Sequence, residues 1–422
     1  MKPKQRKTAA AAVVLLNLIL LAICGWAVFT LLRPSEEPPS SQPESSQESS
    51  LPSRPASAEP SSLPPEESSA PELILPQGLA LTDQFGGSYE RALEILDGMT
   101  LSQKLGQLIL CGVPDKGALS FVETFQPGGF VLFAKDFQDL SPQDVQSILA
   151  EYQSLSDIPM VFSVDEEGGE VVRASKFTSL RDTPFPSPQT LYAQGGLQAL
   201  ADDAAEKSAF LLDLGVQWNL APVCDIAPDK SAYIYNRTFG LPAAQTAECV
   251  KTVVEAMEAA GISSCLKHFP GYGGNADTHT GTAVDDRSLD TFRQEDFLPF
   301  QAGIDAGADA VLVSHNIVTA MDPDRPASLS PEVHRLLREE LGFTGIVLTD
   351  ALEMDAIQNF SGAENPAVLA LQAGNDLILY RDGAAAYHAL EDAWNAGTIT
   401  SRQVDAAVLR VLAWKLEKGI LQ

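Results

Sequence analysis

The sequence predicts an α/β fold, a (β/α)8 TIM-type barrel preceded by one N-terminal transmembrane helix and a disordered linker. Two observations carry the barrel: eight short apolar runs alternate with amphipathic helical stretches over about 300 residues, and ionisable residues gather where those runs stop. A third concerns what precedes it, a charge-free stretch followed by a Ser/Pro/Glu-rich one.

In chain order, residues 1–33 carry Lys2, Lys4, Arg6, Lys7 and Arg33 and no acidic group, and Thr8 to Leu32 is uncharged. At 1.5 Å per residue that run spans a hydrocarbon core of about 30 Å. The basic cluster before it keeps the N-terminus in the cytoplasm and sends the rest outside, so a membrane signal anchor is expected, with the folded domain extracellular. A cleaved signal peptide and a lipid-modified Cys24 after Leu21-Ala22-Ile23 are the competing readings. Residues 34–76 are mostly Ser, Pro, Glu and Gln, which bury too little to offset chain entropy and read as a stiff stalk. Residues 77–422 form the folded domain, with no room for a second one.

The apolar runs are Leu105 to Val113, Gly129 to Phe133, Met160 to Asp165, Trp218 to Asp225, Ser263 to Phe269, Ala310 to Asn316, Gly345 to Asp350 and Asp376 to Tyr380. Between them Ser141 to Ser156, Leu197 to Leu214, Ala243 to Ala260, Phe292 to Ala306 and Pro331 to Leu341 show helical periodicity, and helices at Ala384 to Trp394 and Ser401 to Leu416 end the chain. Continuous apolar strands between helices indicate a parallel sheet covered on its outside, a doubly wound open sheet being the runner-up. Asp165, Asp225, Lys267 with His268, Ser314 with His315, and Asp350 lie at run ends, which share one face in a barrel.

The chain carries 28 basic and 56 acidic side chains, a formal charge of −28, so a nucleic-acid partner is excluded on electrostatic grounds. Cys24, Cys111, Cys224, Cys249 and Cys265 show neither CxxC nor zinc-like spacing and read as buried thiols.

The densest polar segment runs from Lys267 to His279 through a glycine-rich loop. Asp277 and His279, two residues apart, allow a carboxylate to set an imidazole tautomer, an acid/base dyad in outline. A metal site using His268, Asp277 and His279, or a loop hydrogen bond without chemistry, are the alternatives. Asp350 ends an apolar strand and by spacing alone is a nucleophile, a cation ligand or a helix N-cap.

Taken together the chain resembles glycoside hydrolase family 3, in its β-N-acetylhexosaminidase subgroup of peptidoglycan-type β-N-acetylglucosaminidases. The likeness rests on Lys104-Leu105-Gly106-Gln107, Gly128-Gly129-Phe130, Asp165-Glu166-Glu167-Gly168-Gly169, Ala221-Pro222-Val223-Cys224-Asp225, Asn236-Arg237-Thr238-Phe239-Gly240, the Lys267 to His279 block, Ser314-His315, Pro326-Ala327-Ser328 and Thr349-Asp350-Ala351-Leu352. The resemblance implies Asp350 as catalytic nucleophile, His279 as general acid/base with Asp277 as its partner, and Asp165, Arg173, Arg237, Lys267 and His268 as holders of the terminal sugar. For the two arginines, ion pairs with loop carboxylates are the simpler reading. The implied reaction is retaining hydrolysis of terminal N-acetyl-β-glucosaminyl groups from cell-wall fragments, with no metal or cofactor; the partners are a glycan or muropeptide and, through the anchor, a membrane. Transfer to phosphate, another family specificity, and a wall-glycan binding module without turnover are the alternatives. Tyr272 stands where the family block usually has histidine, and the stretch Thr280 to Val284 after His279 lacks the family's usual proline.

Overall fold

The computed structural model describes residues 73–422 other than 228, 275–280, 282, 362 and 363. The expected anchor (1–33) and all of the stalk but its last four residues lie outside that range, as do Asp277 and His279. Among the described residues no helix is long and apolar enough to cross a membrane. Leu75, placed in the stalk by composition, packs on the hydrophobic core.

Ten strands are described: β1 Ile109–Gly112, β2 Gly129–Leu132, β3 Val161–Val164, β4 Trp218–Asn219, β5 Cys265–Phe269, β6 Val284–Asp285, β7 Ala310–Val313, β8 Ile317–Val318, β9 Ile346–Thr349 and β10 Ile378–Leu379. Eight coincide with the apolar runs, and every residue of those eight is buried, which is why they lack polar alternation. One sheet has the order β10-β1-β2-β3-β4 and a second the order β5-β7-β9, all neighbours parallel. Parallel bridges Trp218↔Ser263 and Val223↔Lys267 run from the β4 region to the β5 region, and Leu348↔Leu377 from β9 toward β10. The pair β6 and β8 was not foreseen, because two-residue strands carry no periodicity.

Several boundaries differ from expectation; the run Trp218 to Asp225 is a strand only over Trp218–Asn219. Leu105 to Leu108 does not extend β1: Thr100 and Gln103 form a reciprocal capping box that starts a helix over Leu101–Gln107. The helix expected over Phe292 to Ala306 is two, Leu289–Gln294 and Phe297–Asp305, broken at Glu295 so that Asp296 turns inward to Arg287. The helix Pro188–Asp213 starts before its expected limit and is kinked at Gly196, whose φ is 62°.

The last helix, Ser401–Glu417, is packed into the core rather than laid on it. Trp414 meets Trp218 edge-on at 4.7 Å and donates to Ser263 Oγ at 3.1 Å. Lys415, fully buried, donates to Gln107 Oε1, Gly128 O and Pro159 O at 2.7, 2.8 and 2.7 Å. These acceptors are neutral, so burial pulls its ammonium down to about 7. Cys111, Cys224, Cys249 and Cys265 are buried free thiols; burial pushes Cys249 up to about 12.

Candidate active site

The polar residues singled out at the run ends lie at the carboxyl ends of β3, β5, β7 and β9, and Asp225 lies six residues past β4. Register fixes this: Val164 lies opposite Asn219, and Phe269, Val313 and Thr349 are successive partners, so Asp165, His268, Ser314 and Asp350 each lie within one residue of a paired position.

Lys267 is the hub. Its Nζ reaches Asp165 Oδ1 and Glu167 Oε1, each at 2.7 Å, with its side chain 2% exposed. Glu167 also receives a fork from Arg237, Nε at 2.9 Å and Nη2 at 2.7 Å. Burial alone would push the Glu167 carboxyl up, but Lys267 and Arg237 outweigh it and hold it well below the usual carboxylate range. Lys267 shows the opposite balance: burial favours the neutral amine, and Asp165 and Glu167 reverse that and raise it.

His268 has both ring nitrogens engaged. Nδ1 lies 2.7 Å from Asp225 Oδ2 and Nε2 lies 3.1 Å from Arg237 Nη2. A guanidinium only donates, so Nε2 accepts and the ring proton sits on Nδ1, donated to Asp225. With both nitrogens committed, the metal reading loses its first ligand. Asp225 also accepts from the backbone N–H of His268 at 3.1 Å and of Tyr272 at 2.7 Å. Tyr272 is buried, its ring edge-on to His268 at 5.3 Å.

Glu166, fully buried, faces away from this cluster. It accepts from the backbone N–H of Arg173 and Ala174 at 2.9 and 2.8 Å and from Ser175 Oγ, which ties the loop after β3 into place. Arg173 is thereby brought to Asp165, Nη2 to Oδ2 at 3.8 Å. The Glu167 carbonyl is held in turn by Lys207 Nζ at 3.2 Å.

Asp350, half-buried, follows β9; its N–H donates to Val313 O at 2.9 Å and its Oδ1 accepts from Ala351 N–H at 2.7 Å. His315, fully buried, braces the same turn from β7 by donating from Nε2 to Ala351 O at 2.9 Å. An open groove of about 670 Å³ is lined by Val113, Lys116, Phe133, Lys135 and Arg381, which follow β1, β2 and β10.

Asp165, Arg173, Arg237, Lys267 and His268 are thus joined in one network, and Asp350 sits at the same end of the strands. The arginines do make the ion pairs that the simpler reading gave them, yet both pairs belong to this network. Sequence reasoning missed Glu167 and left Asp225 without a role. The signal for Glu167 was available: the buried Lys267 and the partly buried Arg237 need counter-charges, and the Asp165-Glu166-Glu167 motif contains them.

A family model described as the glycosyl hydrolase family 3 N terminal domain matches residues 100–414. A β-hexosaminidase of Stenotrophomonas maltophilia is 38% identical over 259 residues, covering 60% of this chain and 75% of the relative. The solved structure of a glycoside hydrolase family 3 β-N-acetylglucosaminidase from Paenibacillus superposes with a TM-score of 0.71 at 32% identity, covering 76% of this chain and 63% of that one. A family 3 glycosyl hydrolase from Mycobacterium smegmatis gives 0.68 at 31% identity, covering 76% and 98%.

Proposed function

Since the chain belongs to glycoside hydrolase family 3 and is a glycoside hydrolase of the β-hexosaminidase type, we propose that it removes terminal N-acetyl-β-glucosaminyl residues from cell-wall fragments with retention of configuration. The observation that carries this is the buried network of Asp165, Arg173, Arg237, Lys267 and His268, tied by Glu167 and Asp225, at the strand end shared with Asp350. Two parallel sheets whose outer strands are linked by parallel bridges support their closure into the (β/α)8 TIM-type barrel.

In this reading Asp165 accepts hydrogen bonds from hydroxyls of the terminal sugar while Lys267, Arg237 and Arg173 donate to it. These charged groups are fixed before substrate arrives, so little reorganisation is needed as positive character develops at the anomeric carbon. Asp350 attacks that carbon, and His279, protonated, donates to the departing oxygen; a glycosyl ester of Asp350 results. Neutral His279 then takes a proton from water, whose oxygen attacks the same carbon and releases Asp350. Asp277 favours the protonated imidazole in the first step.

Residues 1–33 act as a membrane anchor and 34–76 as the stalk that holds the enzyme outside the cell, supported by the uncharged Thr8 to Leu32 run and its basic flank. Assay of the full chain on an aryl N-acetyl-β-glucosaminide tests the activity. Release of the phenol that Asp350→Ala abolishes is the expected outcome; tight sugar binding without turnover contradicts it.

A further inference from the structure

One guanidinium lies against both described ends of the segment that carries Asp277 and His279. Arg287 lies two residues beyond Asp285, the last residue of β6. Its Nε donates to Asp285 Oδ1 and Oδ2 at 3.1 and 3.0 Å, and its Nη2 to Oδ2 at 2.9 Å. Its Nη1 and Nη2 also reach Asp296 Oδ2 and Oδ1 at 2.8 and 3.3 Å. The face of the guanidinium rests 4.3 Å from the Phe292 ring centroid. Asp285 and Asp296 are both buried, and this one guanidinium bridges the pair of carboxylates.

The outgoing end of the segment is moulded against the same cluster. A Cβ at Gly271, where φ is 125°, would stand 2.3 Å from Asp296 Oδ1, and one at Gly273, where φ is 56°, would stand 2.6 Å from Arg287 Nη2. Both positions combine a left-handed backbone with a close approach, and only glycine meets both demands. The returning end is fixed as well: Ala283 O accepts from Ile317 N–H at 2.9 Å, and β6 pairs with β8. Residues 271–273 and 283–285 therefore rest on one buried ion cluster, with 275–280 between them in sequence.

We propose that Arg287 is a positioning residue for the acid/base: by tying Asp285 to Asp296 it sets where the chain bearing Asp277 and His279 departs and where it returns. It touches none of the sugar-holding residues named above. Its loss therefore affects proton delivery to the leaving group and spares sugar binding. The inference rests on His279 acting as acid/base.

The test compares kcat and KM of the full-length Arg287→Gln protein on two N-acetyl-β-glucosaminides. One has a sugar leaving group, which needs protonation; the other has a dinitrophenyl group, which does not. A misplacement of about 1 Å costs on the order of 100-fold in a positioned step, so kcat on the sugar glycoside should fall about 10- to 100-fold more than on the dinitrophenyl glycoside. KM should stay within about threefold on both. Equal losses on the two substrates, or a loss carried by KM, overturn the proposal. Should Arg287→Gln fail to fold, Gly273→Ala carries the same comparison from the loop side, with the same outcomes required. His279→Ala is run alongside. If it discriminates between the substrates and the Arg287 and Gly273 variants do not, the positioning role alone is wrong; if His279→Ala does not discriminate, the acid/base reading is wrong and this inference with it.

Discussion

Replacing Glu167 by glutamine keeps the shape of the side chain and removes its charge. Glu167 now accepts from Arg237 through two nitrogens at 2.9 and 2.7 Å and from Lys267 at 2.7 Å. An amide offers one acceptor oxygen and turns an NH2 toward one of these cations, so at least one contact becomes donor against donor. Outside residue 167, Lys267 retains the carboxylate of Asp165 at 2.7 Å, whereas Arg237 has the neutral His268 Nε2 at 3.1 Å, so Arg237 loses its place first. Hydrogen bonds to charged groups are worth about 1.5–3 kcal/mol each, and disturbing the two cations together should cost about 3–4 kcal/mol of transition-state stabilisation. At about 1.4 kcal/mol per decade, kcat/KM for an aryl N-acetyl-β-glucosaminide should fall roughly 100- to 1000-fold. The stability effect has a defined sign. Because the folded carboxyl is held below its ordinary value, its contribution is fully present above about pH 4.3, the unfolded value, and is lost as pH falls through the folded one. Urea unfolding should show a deficit for Glu167→Gln at pH 7 that shrinks toward pH 3. A kcat/KM within threefold of wild type, with an unchanged urea midpoint at pH 7, would refute the view that Glu167 orients the cations proposed to hold the sugar.

Two further variants probe other parts of the account. Asp225→Asn removes an acceptor from a carboxylate that takes three N–H donors and turns the His268 ring, so KM should rise about tenfold; a KM equal to wild type would detach His268 from sugar binding. Lys415, pulled down to about 7 by burial, binds no proton in the fold between about pH 7 and 10 while the unfolded chain does, so it makes stability rise with pH by at most about 1.4 kcal/mol per unit. Lys415→Met should abolish that slope in urea titrations at pH 7.5, 8.5 and 9.5; parallel wild-type and variant profiles would contradict the buried neutral amine.

Much of the fold was legible because its strands are apolar on both faces. Val161–Val164 and Ile346–Thr349 are buried throughout and can only be read as covered parallel strands. Local chemistry was harder to read. Leu105 has the apolarity of a strand residue, but the Thr100–Gln103 box five residues earlier decides for a helix. The break at Glu295 answers to a tertiary demand, the pull of Arg287 on Asp296, which no helical period encodes. At the site, residue types at strand ends identified Asp165, Lys267 and His268, and the family likeness added Arg173 and Arg237. Glu167 escaped notice because its work is to hold other side chains. Two consecutive glutamates do not announce that Glu166 fastens the backbone from Arg173 to Ala174 while Glu167 fastens Arg237 and Lys267.

The central claim is that Asp350 becomes covalently attached to the sugar. The direct measurement is incubation of the full chain with a fluorinated N-acetylglucosaminyl fluoride, which slows turnover of the glycosyl-enzyme, followed by digestion and mass mapping. The account predicts one added fluoro-sugar mass on the peptide containing Asp350, absent from the Asp350→Ala protein. A sugar adduct on any other residue, or rapid turnover of ordinary substrate by Asp350→Ala, would contradict it.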